Sequence, residues 1–417
     1  MEKKHRLLEN IFSMVTLRGM EYILAFLLVP YLLRTLGPAH YGAIAFMQGI
    51  IAYFTLVVNY GFNLTAPRDI ALADTDQLPR IFSSYFWGTF FLWLGSSIVF
   101  CMGYGVFCVF FKERLDIPLF FACYLTVVGM VVFPVWFFQG VQQMRYITLL
   151  NLTGRFVTMG LIFYLIRSPE DYVMAAFLQS CTAVFAGILS WKVIYKGWPG
   201  ILGRPLLNDI WDVYKKSWKI FLSSLAFNLY TTSDIVILGV LTNSTVVGYY
   251  SGAEKLISCI KRGIGAVNDA VYPFISQQFK ESKEMAVRFL RKQLFIYLTG
   301  GLLGGLVILF LSPVIIPELL GSKYIPSISV LQVMAFIPMI VAVSNIFGYE
   351  TMLPLGMQQP YSRILIVAAV LNLILIVPCI VWKDALGVGI CSMFTETFIT
   401  GAMGWVLWRN KILLRNE

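Results

Sequence analysis

Charge is what this sequence has least of. Only 13% of its 417 residues are Asp, Glu, Lys or Arg, about half the share of a soluble domain. That scarcity excludes an ordinary cytosolic enzyme and a disordered scaffold. Histidine is nearly absent, with only His5 and His40, so no imidazole cluster for a metal can form. The seven cysteines (Cys101, Cys108, Cys123, Cys181, Cys259, Cys379 and Cys391) lie inside or beside apolar runs without a CxxC pair. A disulfide-stapled module is thereby excluded, and the thiols read as small apolar fillers. Polar stretches long enough for a soluble catalytic domain are missing. So are a GxxxxGK[ST] loop, a nucleophile elbow, an HExxH pair and an EF-hand, which leaves no sign of P-loop ATP hydrolysis. The basic start MEKKHR runs into a span holding Arg18 and Glu21 and shows no cleavage site for a signal peptide.

What is there instead is hydrocarbon. The chain is 58% hydrophobic, with a mean hydropathy of +0.76. Apolar runs of about 20 residues, enough to cross about 30 Å of lipid as helices, recur along its whole length. The pattern predicts an all-α integral membrane protein of about twelve transmembrane helices. They fall near residues 10–33, 41–63, 81–111, 118–138, 146–166, 171–194, 217–240, 247–275, 293–316, 327–352, 363–382 and 386–408. The net charge of +10 then reports sidedness rather than nucleic acid. Most Lys and Arg residues fall on the side of the termini, among them Lys3, Lys4, Arg6, the run Lys192 to Lys219 and the run Lys280 to Lys292. The other side holds Arg34, Lys112, Arg114, Arg167, Lys323 and Lys383. The positive-inside rule places both termini in the cytoplasm.

The longest polar linker, near 195–216, divides the chain into six-helix halves, 1–200 and 201–417. Each half opens alike. Leu36-Gly37 leads to Tyr41-Gly42, and Leu238-Gly239 leads to Gly248-Tyr249. Such halves would be parallel repeats about a pseudo-two-fold along the membrane normal, with substrate at the repeat interface. The GLLGG run, Gly300 to Gly305, predicts a close helix-packing surface.

Ionisable groups inside spans are functional candidates because lipid penalises them. Arg18 sits in the first span, with Glu21 in pairing distance on the same helix. Arg155 lies in the fifth span, Asp234 in the seventh after Thr231, Thr232 and Ser233, and Glu396 in the twelfth between Thr395 and Thr397. The eighth span carries Glu254, Ser258, Lys261, Arg262, Gly265, Asn268 and Asp269 at helical spacing, with Lys255 at the margin. A stripe of that length predicts a face toward a bundle interior or a watery cavity. Two readings stay open. Acids and bases neutralise one another, or the basic set Arg18, Arg155, Lys255, Lys261 and Arg262 receives an anion such as a diphosphate. The acids Asp234, Glu254, Asp269 and Glu396 balance charge or exchange H+ or Na+ with water, Asp234 and Glu396 being best placed. No other cofactor is expected.

Three strings carry a family resemblance: LLRTLGPAHYGAIAF (Leu32 to Phe46), NYGFNLTAPRDIA (Asn59 to Ala71) and FPVWFFQGVQQMRYITLLN (Phe133 to Asn151). TTSDIVILG followed by VGYYSGAEKL, Thr231 to Leu256, adds a second-half signature. The chain resembles polysaccharide and O-antigen flippases, the polysaccharide-transport branch of the multidrug/oligosaccharidyl-lipid/polysaccharide exporter superfamily. It departs from them after FQG, where Gln142 and Gln143 replace an acid–base pair. The resemblance implies two six-helix bundles in a V around a central cationic cavity. It implies transfer of an undecaprenyl-diphosphate-linked oligosaccharide from the cytoplasmic to the periplasmic leaflet of a bacterial inner membrane. Motif positions carried over include Arg34, Arg68, Trp136 and Gln139, with structural or gating roles, besides Arg155, Asp234 and Lys255. The partners implied are the lipid-linked glycan, the bilayer, a polysaccharide polymerase and a chain-length regulator, and not nucleic acid. A cation-coupled drug antiporter of the same superfamily and a membrane glycan polymerase are the rival readings. The antiporter predicts a cavity dominated by acids, and the polymerase predicts a large external loop.

Overall fold

The computed structural model describes residues 2–110, 116–204 and 206–412. Side chains are described for all of these except 2–18, 21–23, 25, 26, 103–110, 226, 227 and 229–231. The described residues are helical almost throughout and contain no β-strand. Eight helices among them are long and apolar enough to cross a membrane.

The contacts divide the chain into two units. Unit 1 holds Met1–Leu28 and Phe46–Asn228, and unit 2 holds Val29–Ala45 and Leu229–Glu417. Helix α1, Glu2–Asn59, therefore serves both. It is broken at Gly37, whose φ of 71° lies in the left-handed region, where glycine carries no Cβ penalty. Pro38 follows and supplies no amide to heal the break.

In unit 1, α2 (Phe62–Ala71), α3 (Leu78–Phe110), α4 (Ile117–Val132), α5 (Val135–Gly140), α6 (Met144–Leu165), α7 (Tyr172–Gly197) and the first part of α8 (Leu207–Leu241) follow in order. Asp116 caps α4 by accepting from the Leu119 amide at 3.1 Å, satisfying one of the free donors of the first turn. Helices α4 and α7 lie backbone against backbone. A Cβ on Gly129 would come within 2.5 Å of the Ala183 side chain, and one on Gly187 within 2.9 Å of Val132. Thr126 Oγ1 donates to Ser180 Oγ across the same seam at 3.0 Å. The FPVWFFQG string becomes α5, and the NYGFNLTAPRDIA string becomes α2. Gly140 of α5 sits against Ile70 of α2, with no room for a Cβ. Phe62, Phe82, Tyr85, Trp136, Phe137 and Phe138 form one buried core there.

Unit 2 continues α8 and adds α9 (Ser244–Glu281), α10 (Lys283–Leu320), α11 (Ser327–Met334), α12 (Ile337–Phe347), a π-helical turn at Gly348–Met352 and α13 (Gln358–Arg409). Asn243 caps α9 through the Val246 amide at 3.1 Å. Helix α13 doubles back at Lys383 and Asp384, where Asp384 has a φ of 46°. Gly387 lets its two arms meet, because a Cβ would lie 1.9 Å from the Cys379 carbonyl oxygen. The GLLGG expectation is met at alternate positions. Gly301 and Gly305 face Met339 and Phe336, whereas Gly300 and Gly304 face open space. Exposed Leu303, Phe310 and Val314 on α10 suit a surface against hydrocarbon.

The two sequence repeats meet within unit 2. A Cβ on Gly42 would lie 1.8 Å from the Ser244 carbonyl oxygen and 2.5 Å from the Gly248 amide nitrogen. A Cβ on Gly248 would lie 2.0 Å from the Pro38 carbonyl oxygen. The backbones cross where each repeat supplies its glycine, and no side chain of any size fits there.

Candidate functional site: a polar cavity in unit 2

Three helices of unit 2 point polar groups into a cavity of about 110 Å³. Asp234 comes from α8. Tyr250, Glu254, Ser258 and Lys261 come from α9, at the spacing that stacks side chains on one helical face. Asn372, Ser392 and Glu396 come from α13, and Met334 of α11 and Ile337 of α12 complete the wall. Asp234 is only 9% exposed, and one of its carboxylate oxygens, Oδ2, accepts from Ser392 Oγ at 3.1 Å. Ser258 Oγ donates to Glu254 Oε1. Lys261 Nζ lies 3.9 Å from Glu396 Oε1, and Lys255 Nζ lies 3.9 Å from Glu254 Oε2. Asn372 Nδ2 reaches Thr395 Oγ1 at 3.5 Å.

Asp234 Oδ1, Glu254 Oε2 and Asn372 Oδ1 are buried and have no hydrogen-bond partner. All three are oxygens that accept. Buried acceptors without donors are costly. The lining holds three carboxylates and the cation Lys261, with Lys255 beside Glu254.

The structure brings together Asp234, Glu254, Lys255, Lys261 and Glu396 from the candidates read in the sequence. Arg262 and Asp269 share α9 with them but are exposed and do not line the cavity. Arg155 is half-buried on α6 of unit 1. Arg18 and Glu21 lie on α1, with their side chains outside the described residues. Arg34 is exposed in unit 2, its Cγ 3.8 Å from the Cβ position of Gly321. Arg68 is exposed on α2, and Gln139 is half-buried on α5. Trp136 is 5% exposed inside the aromatic core of unit 1.

Reading the sequence missed Asn372 and Ser392. Both are neutral residues in apolar spans, where a search for charge passes over them. It also missed a second cavity, of about 350 Å³, at the end of unit 1. There Tyr85 Oη donates to Asp69 at 2.9 Å, and Lys216 Nζ reaches the same carboxylate at 3.2 Å. Arg80 grips Asp209 with both prongs, at 2.5 and 2.7 Å. That guanidinium holds the Asp209 carboxyl below its ordinary range.

The chain matches a family model described as polysaccharide biosynthesis protein over residues 7–279, from α1 to the end of α9. It belongs to that family. Among curated members of related sequence is a provisionally named O-antigen transporter of Escherichia coli (strain K12), 29% identical over 99% of both chains. Another of the same name, from Shigella dysenteriae, is 27% identical over 94% of this chain and 97% of its own. Both relatives are named as transporters rather than enzymes. Among solved structures, the lipid II flippase MurJ in an inward closed conformation superposes with a TM-score of 0.71 at 11% identity, covering 97% of this chain and 87% of that one. An inward-facing multidrug resistance MATE family transporter of the MOP superfamily gives 0.71 at 14% identity, covering 94% of each. This member of the polysaccharide biosynthesis family therefore has the fold of multi-pass MOP superfamily transporters. The family match includes Asp234, Glu254, Lys255 and Lys261 but ends before Asn372, Ser392 and Glu396, so its model spans one wall of the cavity.

Proposed function

We propose that this protein is a flippase for undecaprenyl-diphosphate-linked oligosaccharide, such as an O-antigen repeat unit. It would carry the head group from the cytoplasmic to the periplasmic leaflet of the bacterial inner membrane by alternating access, with both termini cytoplasmic. The observation that carries this reading is the full-length match to relatives named as O-antigen transporters. The polyprenyl tail stays in lipid, and the candidates for diphosphate contact are Arg18 and Arg155 of unit 1 and Lys255, Lys261 and Arg262 of unit 2. The two lysines are already paired, Lys255 with Glu254 and Lys261 with Glu396, so a diphosphate binds them by exchange. Each lysine leaves a carboxylate for a phosphate oxygen, and the freed carboxylate then favours H+ or Na+. Asp234, with Asn372 and Ser392, is the candidate site for a coupling cation, a reading supported by the buried Oδ1 atoms of Asp234 and Asn372, which have no hydrogen-bond partner. A polymerase and a chain-length regulator would act on the delivered units.

The test uses a strain lacking the gene, with labelled lipid-linked glycan sorted by leaflet through a membrane-impermeant probe. Glycan trapped on the cytoplasmic face and released when the gene is restored is the expected result. Single units that reach the periplasm normally without the gene would overturn the reading, as would normal transport by an Arg18→Ala/Arg262→Ala double variant. The acid-rich lining supports one second reading, a cation-coupled small-molecule antiporter. Loss of drug resistance with glycan transfer intact would establish it.

A further inference from the structure

A second set of buried polar groups in unit 2 takes no part in the Asp234 cavity. It centres on Glu350, which is 0% exposed within the π-helical turn Gly348–Met352. Such turns break the helical register and frequently mark functional positions. Gln293 of α10 donates from Nε2 to Glu350 Oε1 at 3.0 Å. The other two oxygens, Glu350 Oε2 and Gln293 Oε1, are both buried and have no hydrogen-bond partner.

Among the described residues no neighbour offers Glu350 a countercharge. From α10 the next titratable group is Tyr297, whose hydroxyl donates to Asn268 Oδ1 of α9 at 2.8 Å. From α9 come Asp269, which accepts from Tyr349 at 3.5 Å, and Tyr272, stacked on Tyr349 at 4.5 Å. From α13 comes Tyr361, pressed against Gly348. Among the described residues no Lys or Arg forms an ion pair with Glu350. An ionised carboxylate here would be desolvated with a single amide donor for compensation, which strongly disfavours the charge.

One hydrogen atom answers both unfilled oxygens. A neutral Glu350 donates from Oε2 to Gln293 Oε1 while Gln293 Nε2 donates back to Glu350 Oε1. We propose that Glu350 is a proton-binding site, holding its proton in a reciprocal acid–amide pair with Gln293 that fastens the π turn to α10. The proton comes from water and returns to water when the turn opens, and no bond other than this O–H is made or broken. The closed turn thus binds one proton more than an opened, wetted one, so acid favours closure and rising pH favours opening. The site is separate from Asp234 and does not depend on which cargo is carried.

Infrared spectra of the purified protein in lipid nanodiscs test this directly. The difference between wild type and Glu350→Gln at neutral pH should contain the carbonyl stretch of a protonated carboxylic acid. Its absence would overturn the proposal. Gln293→Leu keeps the acid but removes its amide partner, so the same band should move toward the frequency of a free acid. An unmoved band would overturn the reciprocal pair, even if Glu350→Gln failed to fold. Hydrogen exchange across Gly348–Met352, corrected for intrinsic rates, should quicken with pH in wild type and stay flat in Glu350→Gln. Equal pH dependence in both would overturn the linkage. No readout involves a glycan, so failure of the leaflet assay would count against the flippase reading alone.

Discussion

Around Phe137, unit 1 is closed by rings. Around Asp234, unit 2 is closed by carboxylates, amides and hydroxyls. Phe82 meets Phe137 edge to face at 5.0 Å and Trp136 at 5.4 Å, and Phe62 meets Tyr85 at 5.1 Å. Where polar atoms enter this core they find partners. Tyr85 bonds Asp69, and Ser83 both donates to the Ile201 carbonyl and accepts from the Gly203 amide. In unit 2 the buried acceptors of Asp234, Glu254, Asn372, Gln293 and Glu350 stand without donors. A core that is only structural fills its valences. The polar groups around Asp234 leave some open, and that difference separates the aromatic core around Phe137 from the polar cavity around Asp234.

The sharpest way to break that contrast is through the rings. Phe137→Ala removes a side chain with 0% exposure, and truncations of this kind cost about 3–5 kcal/mol. Thermal unfolding of the purified variant should show it, with transport lost because the fold is lost. A cost near that of a surface change would mean the core is not structural. Next comes Gly248→Ala, which forces a methyl toward the Pro38 carbonyl and should cost about 1–3 kcal/mol as overpacking. Gly300→Ala, facing open space, is its control and should leave the midpoint unmoved.

For unit 2 the expected signs of stability and activity part company. Asp234→Asn removes a buried charge whose Oδ1 is unfilled, so stability should change by less than about 1 kcal/mol or rise. Transport should fall at least tenfold, about 1.4 kcal/mol in activation free energy, and the proposed dependence on a cation gradient should go with it. A variant that is unstable yet transports normally would reverse the comparison.

The smallest effect belongs to the Arg80–Asp209 pair of unit 1. Asp209 titrates below its ordinary range because Arg80 binds it. Its contribution is therefore present above about pH 4, the unfolded value, and lost as pH falls through the lower folded value. Asp209→Asn should flatten that acid limb in a midpoint-against-pH series. The arginine side chain is 67% exposed, so the change should be slight and should shrink with added salt.

The sequence made some of this visible and hid the rest for physical reasons. The stripe on α9 was legible because charge in an apolar span is conspicuous. Glu254, Ser258 and Lys261 do line the cavity, while Arg262 and Asp269, of the same stripe, stay exposed outside it. Asn372 and Ser392 carried no such signal, since hydropathy scarcely registers one amide or hydroxyl among leucines. Glu350 was hidden in a different way. It lies near the end of an apolar run, where a charge suggests the water interface, and the π turn that buries it cannot be read from periodicity. Trp136, marked by its aromatic motif, proves to be packed among Phe82, Tyr85 and Phe137.

The assignment of Val29–Ala45 to unit 2 has a consequence in time. This segment is made early, yet the backbone that Gly42 fits against, at Ser244 and Gly248, is synthesised about 200 residues later. At about 5–20 residues per second, that is a wait of roughly 10–40 seconds in the membrane. Throughout it, a kinked helix with a bare glycine face lacks its counterpart. Anything that shields that face during biogenesis, or any mutation that closes it prematurely, would act on the yield of the protein before it acts on its work.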